Sequence, residues 1–229
     1  WVGAILMKKA TRECLLECAA KAFAEKGYNA TKTQDICKEA NANVAAVNYH
    51  FGGKEELYRE VWNYAVKHAM EDYSVVTSQN EDREWLYNYL RVCVLAIFDT
   101  GPSGLLRRLV ANEMNDPSPY AEEMLSEHLS PRIHDLDLHL RRMLGPNVTD
   151  FQVECCILAI HSQFATLTIN KSTRRKLFTK QTPTEEEAAH FTREICAFVM
   201  GGIRAMRTVP PESRRVILKS DASESKGTK

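Results

Sequence analysis

A chain of 229 residues with 30 basic and 30 acidic side chains, 44% hydrophobic and 26% charged, sits near the averages for soluble globular proteins. Its size allows one large domain or two small ones, and its composition excludes wholesale disorder. The net charge of zero argues against indiscriminate polyanion binding, and no apolar run approaches the roughly 20 residues of a membrane-spanning helix.

Apolar positions recur at three- and four-residue steps along nearly the whole chain while strand signals are scarce, so the expected fold class is all-α. The opening "WVGAILMKK" is too short and wrongly arranged for a secretory signal. Met7 is a candidate natural start, and the expected location is cytoplasmic. The first helix is predicted from about Thr11 to Lys26, with Leu16, Ala19 and Phe23 on one face and Gly27 as its stop. A short helix follows from about Thr33 to Ala40, and Asn41 stands where the chain must leave it in a left-handed conformation, which asparagine tolerates. Asn43 is placed to cap a third helix, Val44 to Phe51, by accepting from the free backbone N–H groups of its first turn. Gly52 and Gly53 end that helix. A fourth begins near Lys54, with Glu55 and Glu56 at its positive end, and runs toward Tyr73.

Residues 74–84 read as a polar connection. Leu86, Tyr89, Leu90, Cys93 and Ile97 stripe a fifth helix closed by "TGPSG", and Leu105, Leu106, Leu109, Val110 and Met114 mark a sixth stopped by "NDPSP". Tyr120 to Leu144 is helical, but Ser130 and Pro131 look like a cap and first-turn pair, so the segment is either two helices or one kinked helix. Val153, Ile157, Ile160, Phe164 and Leu167 stripe the next. Thr184 to Glu187 fits a capping box and opens a last stripe, Phe191, Ile195, Phe198, Gly202 and Met206. Pro210 and Pro211 end the fold, and residues 211–229 are expected to form a flexible polar tail.

Two short helices joined by a tight turn and buttressed by a longer one match the helix-turn-helix plan. Steps of about 100° put Val44, Val47 and Phe51 on a core-facing side of the third helix, with Ala45, Ala46 and Tyr49 opposite and Asn48 and His50 flanking. A helix entering a major groove must bring its backbone close to the base edges; alanines remove bulk there, and their methyls can meet thymine methyls. Asn48 suits an adenine edge, Tyr49 and His50 can donate to phosphates, and Lys54 adds positive charge. Between residues 8 and 54, Lys8, Lys9, Arg12, Lys21, Lys26, Lys32, Lys38 and Lys54 outnumber Glu13, Glu17, Glu25, Asp35 and Glu39, so the basic excess falls on this segment.

The stretches "AAKAFAEKGYNAT", "DICKEANANVAAVNYHF" and "GKEELYREVW" are ordered and spaced so that residues 11–62 resemble the DNA-binding domain of the TetR/AcrR transcriptional regulators. The resemblance implies that the third helix is the recognition helix and that the fourth links it to a ligand-binding, dimerising domain. Lys32 departs from the hydroxyl residue that often caps the second helix, so Thr33 or Thr31 is left to supply that cap, and one of them to reach phosphate. Asn41 replaces a usual glycine, and Gly53 replaces a Ser or Asn cap at a loss of a few tenths of a kcal/mol. "VNYHFGGKEELY", "LVANEMNDPSP", "RRMLG" and "FVMGGIRAM" resemble the CecR-like subgroup, although Asn112 stands where several relatives carry arginine. The candidate DNA contacts are therefore Thr33, Asn43, Ala45, Ala46, Asn48, Tyr49, His50 and Lys54.

The expected organisation is a helix-turn-helix domain over residues 8–53 and a helical effector-binding and dimerisation domain over residues 54–210. One short recognition helix reads only a few base pairs, so a homodimer on a palindromic operator is expected, joined through the last two long helices, where Ala197, Gly201 and Gly202 permit close approach. His68, Tyr89, Phe98, Met114, Met124, His128, His161 and Phe164 are candidate pocket residues for a small-molecule effector that is apolar with one polar handle. Each is also an ordinary core residue type. The seven cysteines are odd in number, lack a CxxC and fit a reducing compartment. Cys14 and Cys18 read as small buried thiols. His134 with His139, and Cys155 with Cys156, lie at spacings that diverge on a helix, so neither a metal nor a cofactor is expected. No nucleophile–base pair, glycine-rich phosphate loop or metal cluster points to an enzyme. The sequence reads as a sequence-specific DNA-binding transcriptional regulator, expected to be a repressor released from its operator by a small-molecule effector; a small helical enzyme and an interaction module that has lost DNA binding are the alternatives.

Overall fold

Gly27, with φ of 76° and ψ of 172°, breaks the first helix, α1, which spans Val2–Ala30 and begins earlier than the apolar stripe alone suggests. The structure, a computed structural model, describes residues 2–73, 76, 81–169, 171–178 and 182–208. Every regular element among them is helical. The expected polar tail, Pro210 and Pro211, and most of the connection after Tyr73 lie outside the described residues.

Helices α2 (Thr33–Glu39), α3 (Val44–Phe51) and α4 (Lys54–Tyr73) follow with the predicted boundaries nearly intact. Asn41 takes a φ of 49°, the left-handed turn its position requires. The other helices are α5 (Asp82–Phe98), α6 (Leu105–Asn115), α7 (Ala121–Leu144), α8 (Asp150–Ile169), α9 (Lys171–Leu177) and α10 (Glu185–Thr208). A short 3-10 turn, Pro102–Gly104, joins α5 to α6. Pro131 lies inside α7, which runs on as one helix. The polar α9 has no apolar stripe and was not anticipated. At α10 the capping box forms as expected: the Thr184 backbone N–H donates to Glu187 at 2.8 Å, and the Glu187 N–H donates to the Thr184 hydroxyl at 3.2 Å.

Two apolar clusters fill the interior. The first gathers Leu15, Ala19 and Phe23 of α1, Ile36 of α2, Val47 and Phe51 of α3, and Leu57, Tyr58, Val61 and Trp62 of α4. It also takes in Leu105, Leu106 and Leu109 of α6 and Met124 of α7, so the amino-terminal helices share their core with the larger part of the chain. The second cluster joins α5, the carboxyl half of α7, α8 and α10 around Leu86, Leu90, Leu140, Ile160 and Phe164.

One predicted stripe is wrong in part. On α10 the buried positions are Ala188, Thr192, Cys196, Val199 and Ile203, whereas Phe198 is 72% exposed. The buried set follows steps of three and four, and Phe198 precedes Val199 by one residue, about 100° around the helix.

Candidate functional site

The third helix is held from one side only. Val47 and Phe51 are buried, Asn43 caps the helix by accepting from the Ala46 N–H at 2.9 Å, and Gly52 closes it in the left-handed conformation. Ala45, Asn48 and Tyr49 are exposed, Tyr49 by 68%, and its ring meets that of His50 edge-on at 5.0 Å. Val44, expected on the core side, is instead 41% exposed, because the first residue of a helix projects beyond the apolar seam that its later turns bury. Ala46 packs partly against the first cluster, so its face is shared between core and surface.

Neither threonine caps α2. Lys32 occupies the N-cap position without a side-chain bond, and Thr31 is buried with its hydroxyl donating to the carbonyls of Ala22 and Gly27. Thr33 is the first residue of α2 and half-buried. Lys54, expected to offer charge, turns inward: its ammonium donates to the Tyr28 carbonyl at 2.6 Å and lies 4.0 Å from the centre of the Tyr28 ring, and burial lowers its pKa. Arg12 is paired with Glu60 at 2.6 Å, and Lys21 with Glu39 at 2.9 Å. Lys26, Lys32 and Lys38 make no ion pair among the described residues and leave cationic charge around the head.

This head and the first turns of α4 are tied to α6 and α7 by polar contacts. The Asn112 amide donates to the carbonyls of Phe23 and Ala24 at 2.9 and 3.1 Å, capping α1 where Gly27 ends it. The buried Glu113 accepts from the Tyr58 hydroxyl and, at 2.7 Å, from the Ser118 N–H. Tyr120 donates to Glu55 at 2.7 Å, and Arg59 pairs with Glu123.

The candidate pocket residues divide. Tyr89 of α5 and His161 of α8 meet at 2.7 Å between the Tyr89 oxygen and His161 Nε2, with Phe164 buried one turn along α8. Burial pushes the Tyr89 phenol well up, while burial and then the Arg107 charge pull His161 down to about 4, so the hydrogen bond joins a protonated phenol to a neutral imidazole. Phe98 packs edge-on against Phe178 at 4.6 Å and lines a groove of about 1240 Å³ with Ile97, Arg107 and Thr168. The other four lie elsewhere. His68 sits at the surface beside Glu71 at 3.3 Å, and Met114 is 66% exposed at the end of α6. Met124 is sealed in the first cluster, and His128 stacks on Trp62 at 5.6 Å. The residue types suited a pocket, but sequence spacing did not say which of them would face one.

Sequence reasoning missed Arg107 of α6 and Arg132 of α7. The Arg107 guanidinium lies 5.3 Å from the Phe164 ring centre, and Arg132 lies 5.0 Å from that of Tyr73. No group of three or more metal-ligating side chains occurs among the described residues. Nor is any single described helix long and apolar enough to cross a membrane.

Both α8 and α10 leave large apolar side chains exposed. Phe151 and Leu158, seven residues apart on α8, are 78% and 69% exposed, and Phe198 of α10 is 72% exposed. A Cβ added at Gly201 or Gly202 would meet nothing within 4 Å, so this stretch of α10 presents bare backbone.

Comparison with known proteins agrees with this arrangement. The family described as "Bacterial regulatory proteins, tetR family" matches residues 15–61, and "HTH-type transcriptional dual regulator CecR, C-terminal domain" matches residues 83–203. The chain is 30% identical over 83 residues to the biofilm operon icaADBC negative transcriptional regulator IcaR of Staphylococcus epidermidis, covering 34% of this chain and 43% of that protein. It is 27% identical over 142 residues to the dual regulator CecR of Shigella flexneri, covering 57% of this chain and 61% of that one. The first curated relatives are matched over only 43%, 51% and 25% of their own lengths. In fold, the chain is similar to AibR, solved with isovaleryl coenzyme A and operator DNA, at a TM-score of 0.64 and 15% identity over 80% of this chain and 97% of that one. It is similar also to HlyIIR, a hemolysin II transcriptional regulator, at a TM-score of 0.57 and 22% identity over 85% and 97%. With a helix-turn-helix head and a carboxyl-terminal domain both matched, the chain belongs to the TetR family of bacterial regulatory proteins, with a carboxyl-terminal domain of the CecR type.

Proposed function

We propose that this chain is a homodimeric, sequence-specific DNA-binding transcriptional regulator, a repressor that a small-molecule effector releases from a palindromic operator. The observation that carries the reading is the one-sided anchoring of α3: Val47 and Phe51 are buried while Ala45, Asn48 and Tyr49 face outward on a capped, preformed helix. A surface of that shape can lie close to base edges, with hydrogen-bonding groups at its flanks. Residues 8–53 serve as the reading head and residues 54–210 as the effector and dimerisation domain. Thr33, Asn43, Ala45, Ala46, Asn48, Tyr49 and His50 form the DNA face. Lys54 contributes by fixing the α1–α4 junction through Tyr28.

Dimerisation through α8 and α10 is supported by the uncovered Phe151, Leu158 and Phe198 beside Gly201 and Gly202. Effector action runs through the larger domain, because α6 carries Arg107, the Asn112 contact to the head and the Glu113 contact to α4, the helix that leaves the head. A ligand shifts the position of the heads only by binding one arrangement better than the other. The protein works in the cytoplasm and performs no catalysis.

Selection of genomic fragments with purified protein, followed by titration across salt concentrations, tests this. A bound fragment whose affinity falls steeply with salt is the expected result, since each neutralised phosphate releases counterions. Failure to retain any fragment at low salt favours an interaction module without DNA binding.

A further inference from the structure

Five helices meet at a group of polar side chains around Tyr89. Tyr73 comes from α4, Tyr89 and Cys93 from α5, Arg107 from α6, Arg132 from α7 and His161 from α8. The Tyr73 and Tyr89 rings contact edge-on at 6.2 Å, and Trp85 stacks on Tyr89 at 5.2 Å, which makes one wall aromatic. Two polar atoms in this group are buried with no hydrogen-bond partner, the Tyr73 hydroxyl and the Nε of Arg107. Buried polar atoms are ordinarily satisfied, and those left open mark a place where a partner is missing.

The charge balance points the same way. Burial pushes the Tyr73, Tyr89 and Cys93 groups upward, and burial pulls His161 down to about 4, so all four are neutral near pH 7. Only the two guanidinium groups keep their charge. Neither Arg107 nor Arg132 makes an ion pair with a carboxylate among the described residues; the one polar partner of Arg132 is the Met70 sulfur, at 3.7 Å. Asp135 is felt by the Tyr73 hydroxyl but pairs with neither arginine. Two half-buried cations that both act on the same Cys93 thiol repel each other unless an anion lies between them.

We infer that Arg107 and Arg132, with the Tyr73 hydroxyl and the Tyr89–His161 pair, receive the carboxylate of an otherwise apolar effector, a hydrophobic carboxylic acid whose body lies along the groove lined by Ile97, Phe98 and Thr168. This rests on the proposed regulator reading and gives its effector a chemical class. The guanidinium forks match a carboxylate geometrically, and the partly enclosed site strengthens the pairing relative to water. The groove that reaches Arg107 past Ile97, Phe98 and Thr168 supplies an approach from solvent. Because Arg107 shares α6 with Asn112 and Glu113, neutralising it acts on the helix that holds the head.

Calorimetric titration of the full chain with 2-naphthoate and decanoate, each set against its uncharged amide, tests the inference. The expected result is that at least one acid binds tenfold or more tighter than its amide, and that Arg132→Gln and Arg107→Gln each weaken that acid tenfold or more without changing the amide. Arg107→Lys keeps the charge and should retain part of the affinity. Should Arg107→Gln fail to fold, Arg132→Gln carries the same comparison. Acids that bind no tighter than their amides, or acid binding untouched by Arg132→Gln, overturn the inference. DNA binding measured on the same preparation separates the two levels: a retained DNA complex with no acid preference removes only the effector class.

Discussion

The Tyr58 hydroxyl donates to the Glu113 carboxylate inside the first apolar cluster, linking the helix that leaves the reading head to the helix that carries Arg107. Both residues are buried, so the bond is made where water cannot replace it. Burial and the neighbouring carboxylate together push the Tyr58 phenol upward, which keeps it a donor across the working pH range. Tyr58→Phe removes that donor and leaves Glu113 with the Ser118 N–H alone. Urea denaturation should show a loss of about 1–3 kcal/mol, the range for stranding a buried partner. Stability equal to the parent chain would show that the bond contributes nothing net.

Phe151, Leu158 and Phe198 are expected to be covered in solution by a second copy of the chain. Leu158→Arg places a charge among these exposed apolar side chains and should convert the proposed dimer to a monomer, read by sedimentation or light scattering. The fold should persist, because Leu158 is 69% exposed and makes little of the monomer core. A variant that keeps the parent mass would move the interface elsewhere.

Acid should destabilise the protein through His161. Its imidazole titrates at about 4 when folded against 6.5 as the reference value, so the unfolded chain binds more protons between these limits. Stability is therefore complete above about pH 6.5 and falls as the pH drops toward about 4, by on the order of 3 kcal/mol at about 1.4 kcal/mol per unit. Burial lowers His128 and His139 as well, and their contribution has the same sign. Replacing His161 with Gln should flatten the profile, compared by urea midpoints at about pH 5 and about pH 7. An unaltered slope would assign the acid sensitivity to the other histidines.

Asn112 caps α1 through two carbonyls, and its loss has an expected outcome of its own. Asn112→Ala should lower stability by about 1–2 kcal/mol, as loss of capping bonds does, and should loosen the head relative to the larger domain. Hydrogen exchange at the end of α1 reads the second effect directly; protection there as strong as in the parent would show that Gly27 and Thr31 suffice.

The helix-turn-helix was legible because each boundary has a local chemical cause: Asn43 as a cap, Asn41 in the left-handed region, Gly52 as a stop. Periodicity also placed Val47 and Phe51 inward. It failed where tertiary contacts decide. Nothing local distinguishes Phe198, which faces out, from Phe191 nearby, which packs on the second core. Lys54 reads in the sequence as free positive charge on the DNA face because its partner, the Tyr28 carbonyl, lies 26 positions earlier. Arg107 sits in "LLRRLV", and the two arginines inside that apolar run were the one available sign that a charge would be drawn into the interior. Arg132 gave less warning, because half of α7 is polar.

The central claim is that the exposed face of α3 reads DNA, and footprinting with the parent chain and with Tyr49→Ala tests it most directly. Tyr49 is 68% exposed, so its loss should change stability by no more than about 0.5 kcal/mol. The account predicts a palindromic footprint for the parent chain that weakens tenfold or more in the folded variant. A footprint identical for both proteins, or one without two-fold symmetry, would contradict it.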